Sequence, residues 1–221
     1  MFCHTDMKEK ELIGIMGGTF DPPHLGHLLS AEYAAQQLNL SRVIFLPNGK
    51  TLYKKRDDTA SPRQRFEMTK LAIEGNELFE ISDAETVSDT VTFTCNTLKT
   101  LHKMYSNTHF YFIVGADSLD YIERWKNPEQ IFELSSIAVV RRSGFSSDEL
   151  TKKAQWLKEK FCADIRLVDM PLVEISSTDI KKRLKNGQSV RYMLPDLTLK
   201  YIKENSLYIN NYGDDSYDGR K

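Results

Sequence analysis

At 221 residues, with 40% hydrophobic and 28% charged side chains, the chain suits one globular core and is too apolar for wholesale disorder. Lys and Arg total 30 against 31 Asp and Glu, a net charge of −1 that excludes a bulk electrostatic claim on nucleic acid but leaves room for a local anion pocket. No apolar run reaches the roughly 18 residues of a membrane helix, and the N-terminal residues lack a signal-type apolar stretch. The cysteines, Cys3, Cys95 and Cys162, are widely spaced without a CxxC pair, so the expected setting is the reducing cytoplasm, with no membrane and no nucleic acid as partner.

In chain order, Leu12–Met16 reads as a buried strand, followed by a helix with Leu28, Ala31, Ala35 and Leu38 on one face. Val43–Leu46 is a second strand, stopped by Pro47-Asn48-Gly49. Ser61-Pro62 pairs an N-cap with proline at the first helical position and predicts a helix to about Glu74. Phe79–Ile81 is a weaker strand, and Leu98, Leu101 and Tyr105 mark a helical face. Phe110–Val114 is the clearest strand. Asn127-Pro128 opens another helix, and Ile137–Val140 and Ile165–Val168 complete the strand series. Phe145 and Trp156 are read as packing residues. Residues 12–208 are expected to form one domain, with 1–11 and 209–221 as flexible termini.

Continuous apolar runs separated by helices imply an α/β fold, a doubly wound, Rossmann-like parallel sheet with helices on both faces. Such sheets bind ligands beyond the carboxyl ends of their strands, which directs attention to the loops after Met16, Leu46, Val114 and Val140. The first of these holds Gly17-Gly18-Thr19-Phe20-Asp21-Pro22-Pro23-His24-Leu25-Gly26-His27. Two glycines admit a ligand close to the backbone, and the helix opening near His24 turns its unpaired amides and dipole toward an anion. Two histidines three apart place two imidazoles on one side of that turn. A zinc site is not implied, for want of a third ligand, and no Walker loop is present.

This segment resembles the HxGH signature of the nucleotidyltransferase superfamily, in the form found in nicotinate mononucleotide adenylyltransferases. Near the other end of the chain, Ile175-Ser176-Ser177-Thr178-Asp179-Ile180-Lys181-Lys182-Arg183 resembles the same family's ISSTxIR motif, with Lys181 where the family has Arg. Gly115-Ala116-Asp117, Trp125 and the closing Tyr201–Tyr208 are similar to further family segments. The resemblance implies adenylyl transfer from ATP to nicotinate mononucleotide, with Mg²⁺ bound through the ATP phosphates and no protein metal site. It implies His24, His27 and Arg183 as catalytic groups. The ATP site would draw on Gly17, Gly18, Thr19, Phe20, His24, Gly26, His27, Gly115, Asp117, Ile175, Ser176, Ser177, Thr178 and Arg183. The mononucleotide would meet Lys54, Thr94, Trp125 and Arg142. Around Lys54 the family's Pro-Pro-His is replaced by Thr51-Leu52-Tyr53, and the proline after Arg142 is missing. Three alternatives stay open at this level: a phosphopantetheine adenylyltransferase, a nicotinamide mononucleotide adenylyltransferase, and a nucleotide-sensing module without turnover. So does a homo-oligomeric state.

Overall fold

A computed structural model describes residues 10–49, 59–87, 91–141 and 147–209. Its centre is β1 (Glu11–Gly18), which pairs in parallel with β2 (Arg42–Pro47) on one side and β4 (Thr108–Gly115) on the other. Beyond β2 lies β3 (Phe79–Ile81); beyond β4 lie β5 (Ser136–Val140) and β6 (Ile165–Val168). The order β3-β2-β1-β4-β5-β6 is parallel throughout. It is the doubly wound order whose direction reverses between β1 and β4, where a crevice opens beyond the strand ends.

Each central strand is buried on both faces because helices cover both. Ile13, Ile15, Phe110, Phe112, Ile137 and Val139 pack on one side with Leu98 and Leu101 of α3 (Thr94–Met104) and Ile131 of α5 (Pro128–Leu134). Met16, Val43, Phe45, Ile113 and Ala138 pack on the other with Ala31, Ala34 and Ala35 of α1 (Leu25–Gln37). Each such large aliphatic side chain contributes roughly 1.5–3 kcal/mol relative to exposure. Gly14 keeps the middle of β1 thin: a Cβ there would lie 2.9 Å from Leu40 Cδ1.

The capping prediction at Ser61 holds. α2 (Pro62–Ile73) starts with proline, Ser61 Oγ accepts from the Gln64 amide at 3.3 Å, and the Gln64 side chain accepts the Ser61 amide at 2.9 Å. A third cluster joins Met68 of α2 to Ile180 of α7 (Ser177–Lys185) and Ile202 of α8 (Asp196–Glu204), with Val190, Leu194 and Tyr208 between them. Between β4 and β5 come a short α4 (Ala116–Leu119) and a 3-10 turn at Ile122–Arg124.

Beside the short α4 and the 3-10 turn, two longer helices had no prediction. α6 (Ser147–Phe161) is rich in charge, and α8 spends one of its buried positions on Thr198. The reading of Trp156 as a packing residue is corrected. It is 39% exposed, flanked by the Lys153 and Lys160 ammonium groups at 4.9 and 4.7 Å from its ring, a surface cation–π arrangement. Phe145 lies outside the described residues.

Candidate active site

The loop from β1 into α1 carries the first group of site residues. His24 is the N-cap of α1, and its own amide donates to Nδ1 of His27 at 3.2 Å. An accepting Nδ1 leaves the ring proton of neutral His27 on Nε2, where it can serve as a donor. The two imidazoles stack at 3.7 Å, and Phe20 meets His27 edge-on at 5.0 Å. Gly26 leaves the His24 ring its place: a Cβ would come within 3.1 Å of that ring and push on it, and would reach ordinary contact with the Ile175 carbonyl at 3.7 Å. The second motif is therefore already against the first.

α7 begins beside that loop. Ser176 caps it by accepting the Asp179 amide at 3.1 Å, and Ser177 Oγ donates across 155 positions of sequence to the Pro22 carbonyl at 2.8 Å. Below this contact lies a buried polar knot. Asp21, 6% exposed, accepts from Lys181 Nζ at 2.8 Å, the Tyr208 hydroxyl at 2.6 Å and the Ala60 amide at 3.0 Å. Lys181, placed in the motif where the family has Arg, thus turns inward and ties α7 to the first loop.

Arg65 of α2 holds the other side. It is 2% exposed, and its guanidinium donates to the Thr19 carbonyl at 2.7 Å, to Asn48 Oδ1 at 2.8 Å and to the Gly49 carbonyl at 2.9 Å. Burial lowers its pKa, opposed by the charges of Asp21 and Tyr208. Arg65 thus reinforces the direct ties between the loops after β1 and β2, where the Asn48 amide donates to the Gly18 carbonyl at 2.9 Å and its side chain to Thr19 Oγ1 at 3.3 Å.

A cleft of about 490 Å³ opens where β1 and β4 part, a size that suits small-molecule ligands. On the α1 side it is lined by Gly17, Gly18, Thr19, Phe20, His27 and Ser177; at the end of β4 by Gly115 and Asp117; and on the α3 side by Thr94 and Trp125. These are ten of the predicted site residues, drawn from both ends of the sequence. His24, Gly26, Ile175, Ser176, Thr178 and Arg183 do not line it, and Ser176 and Thr178 are exposed to solvent. His24 is 2% exposed, and Arg183, at the far end of α7, donates from Nε to the Ser189 carbonyl at 3.1 Å. Lys54 and Arg142 lie outside the described residues.

The cleft also contains residues that the sequence reading missed. Glu85, Thr92, Thr97, Asn48 and Tyr121 line it, and Arg65 supports it. Arg65 left one signal: it shares the buried stripe of α2 with Met68 and Ala72, at i, i+3 and i+7, where an arginine has to be spoken for by partners. Glu85 left none. Trp125 is half-buried, edge-on to Phe112 at 6.0 Å and tilted to Tyr121 at 6.4 Å.

Sheet order, crevice position and the pairing of a β1 loop with the α7 N-terminus define a nucleotidyltransferase of cytidylyltransferase-like type, and the family model of that description matches residues 15–183. Relatives narrow the class. A protein of Lachnoclostridium phytofermentans named probable nicotinate-nucleotide adenylyltransferase is 41% identical over 89% of this chain and 98% of its own length. One of the same name from Clostridium novyi is 37% identical over 91% of this chain and its entire length. The chain belongs to the nicotinate-nucleotide adenylyltransferase family. Its fold is shared with the Plasmodium falciparum nicotinic acid mononucleotide adenylyltransferase complexed with NaAD, at a TM-score of 0.74 and 22% identity over 90% of this chain and 97% of that one.

Proposed function

We propose that this chain transfers the adenylyl group of ATP to nicotinate mononucleotide, forming deamido-NAD and pyrophosphate in NAD biosynthesis. The observation that carries the proposal is the cleft itself, in which His27 and the α7 N-terminus share one cavity with Trp125 and Thr94. The mononucleotide phosphate is the nucleophile. Its second pKa is about 6, so it is largely dianionic at neutral pH and needs no general base. One of its oxygens forms a bond to the α-phosphorus as the bond to the β-phosphate oxygen breaks, and pyrophosphate leaves with that electron pair.

The protein's task is to align two anions and stabilise the charge that develops between them. The Nε2–H of His27 and the first-turn amides of α1 and α7 do this. Ser177 contributes through backbone position, since its hydroxyl proton is already given to the Pro22 carbonyl. His24 acts from behind by holding the His27 ring. Gly17, Gly18, Thr19 and Phe20 shape the wall beside the triphosphate, and Gly115 and Asp117 the place for a ribose. Ile175, Ser176 and Thr178 set the α7 terminus; Arg183 is assigned to the outgoing phosphates. Lys54 and Arg142 are kept as mononucleotide contacts. Residues 12–208 are the proposed functional unit and the cytoplasm its setting.

Mg²⁺ is proposed as a passenger of the ATP phosphates. Among the described residues no group of three His, Cys, Asp or Glu side chains could hold a metal, while the cleft offers oxygen donors, Asp117 and the Thr19 hydroxyl, of the kind a hard cation accepts. When bound it would neutralise phosphate charge. Activity should vanish with chelator and return with excess Mg²⁺, and calorimetry on protein alone should show weak binding. Tight binding without nucleotide contradicts this.

Substrate choice rests on Trp125. Stacking on a pyridine ring adds about 0.5–1.5 kcal/mol to the area buried, so Trp125→Ala should lower kcat/KM for the mononucleotide more than about tenfold. The KM for ATP should stay near wild type. A defect confined to ATP would move Trp125 to the other substrate. Thermal-shift response to nicotinate mononucleotide, and none to phosphopantetheine, separates this function from that of a relative acting on the latter.

A further inference from the structure

Glu85 is a buried carboxyl for which adenylyl transfer has no chemical use. It sits in the turn after β3, 8% exposed, in the wall of the cleft beside Thr92, Thr94, Thr97 and Trp125. Thr97 Oγ1 donates to its Oε1 at 2.6 Å, and the Thr92 side chain supplies a second hydrogen bond. Burial pushes the carboxyl pKa up and the two threonines oppose the shift. A buried acid so placed needs a reason, since a neutral side chain would avoid the desolvation cost.

The geometry of its partners supplies the reason. Thr92 precedes Thr94 by two positions and Thr97 follows it by three, so one carboxyl grips the chain on both sides of the residue that opens α3. Among the described residues α3 has no side-chain cap of its own: its N-cap is Phe93, which offers no acceptor. The first turn of α3 is therefore held from outside, by Glu85, at the point where it faces the cleft.

We propose that Glu85 is the positioning residue of the mononucleotide end of the cleft, fixing Thr94 and the first turn of α3 relative to Trp125. The proposal rests on the function given above. It makes Glu85 a determinant of mononucleotide binding and leaves the ATP end, built on β1, α1 and α7, independent of it.

The test is steady-state kinetics on the full chain, with each substrate varied in turn, for wild type, Glu85→Ala, Glu85→Gln and Thr97→Val. Glu85→Ala should raise KM for nicotinate mononucleotide about tenfold or more, with KM for ATP and kcat within about threefold of wild type, the pattern of lost ground-state binding. Glu85→Gln keeps an oxygen that accepts from Thr97 and should recover most of the loss. Thr97→Val removes the donor and should reproduce it, which keeps the test decisive if Glu85→Ala does not fold. An equal rise in both KM values, or none in that for the mononucleotide, overturns the proposal. A wild-type protein that makes no deamido-NAD overturns the functional reading instead.

Discussion

His27→Ala should lower kcat by about 10²–10³-fold, the usual loss when one preorganised donor to a developing charge is removed. The ring is held for that task from three sides: the His24 amide on Nδ1, the His24 ring stacked on it, and Phe20 at its edge. The His24 amide contact is half of the capping box of α1, whose loss costs about 1 kcal/mol, and alanine is a good helix former for the first turn. Melting should fall by only a few degrees, at about 2–4 °C per kcal/mol for a chain of this size. Near-normal kcat in a folded His27→Ala protein would remove His27 from the mechanism.

Lys181→Met should be the most damaging single change to stability. It takes the direct ion pair away from the buried Asp21 carboxylate and leaves only the Arg65 charge acting on it at longer range, a change that costs up to about 3–5 kcal/mol. At about 2–4 °C per kcal/mol that is a drop in Tm of up to about 6–20 °C. Adding Asp21→Asn to Lys181→Met should restore much of it, because the cost comes from the stranded charge and not from the missing ammonium. Tyr208→Phe removes one hydrogen bond to that carboxylate and should cost about 1.5–3 kcal/mol. Calorimetric melts of the four proteins check the order. A Lys181→Met protein melting within a degree or two of wild type, or a double variant worse than the single, would show that Asp21 has other support.

The central strands were legible because burial on both faces writes them as unbroken apolar runs, as at Phe110–Val114 and Ile137–Val140. The edge strands β3 and β6 were weaker signals for the same reason: both are partly exposed, and only Val168 of β6 is fully buried. Capping chemistry at Ser61 was readable because it is local. The two motifs were readable as residue types at fixed spacing. What joins them was not: Lys181 and Tyr208 meet Asp21 across 160 and 187 positions, and no local pattern says which lysine or tyrosine will close on a given aspartate. Glu85 was invisible for a related reason. Its partners are threonines in a different element, and a lone Glu in a polar turn reads as solvated surface. The α6 helix escaped because buried Leu150 and Leu157 are spread thinly among charges.

The most direct test is product analysis with the purified protein, ATP, Mg²⁺ and either nicotinate or nicotinamide mononucleotide. The account predicts deamido-NAD and pyrophosphate in equal amounts, with kcat/KM for the nicotinate form at least about tenfold above the amide, as expected when backbone donors meet a carboxylate. ATP consumption without a dinucleotide product, or equal use of the two mononucleotides, would contradict it.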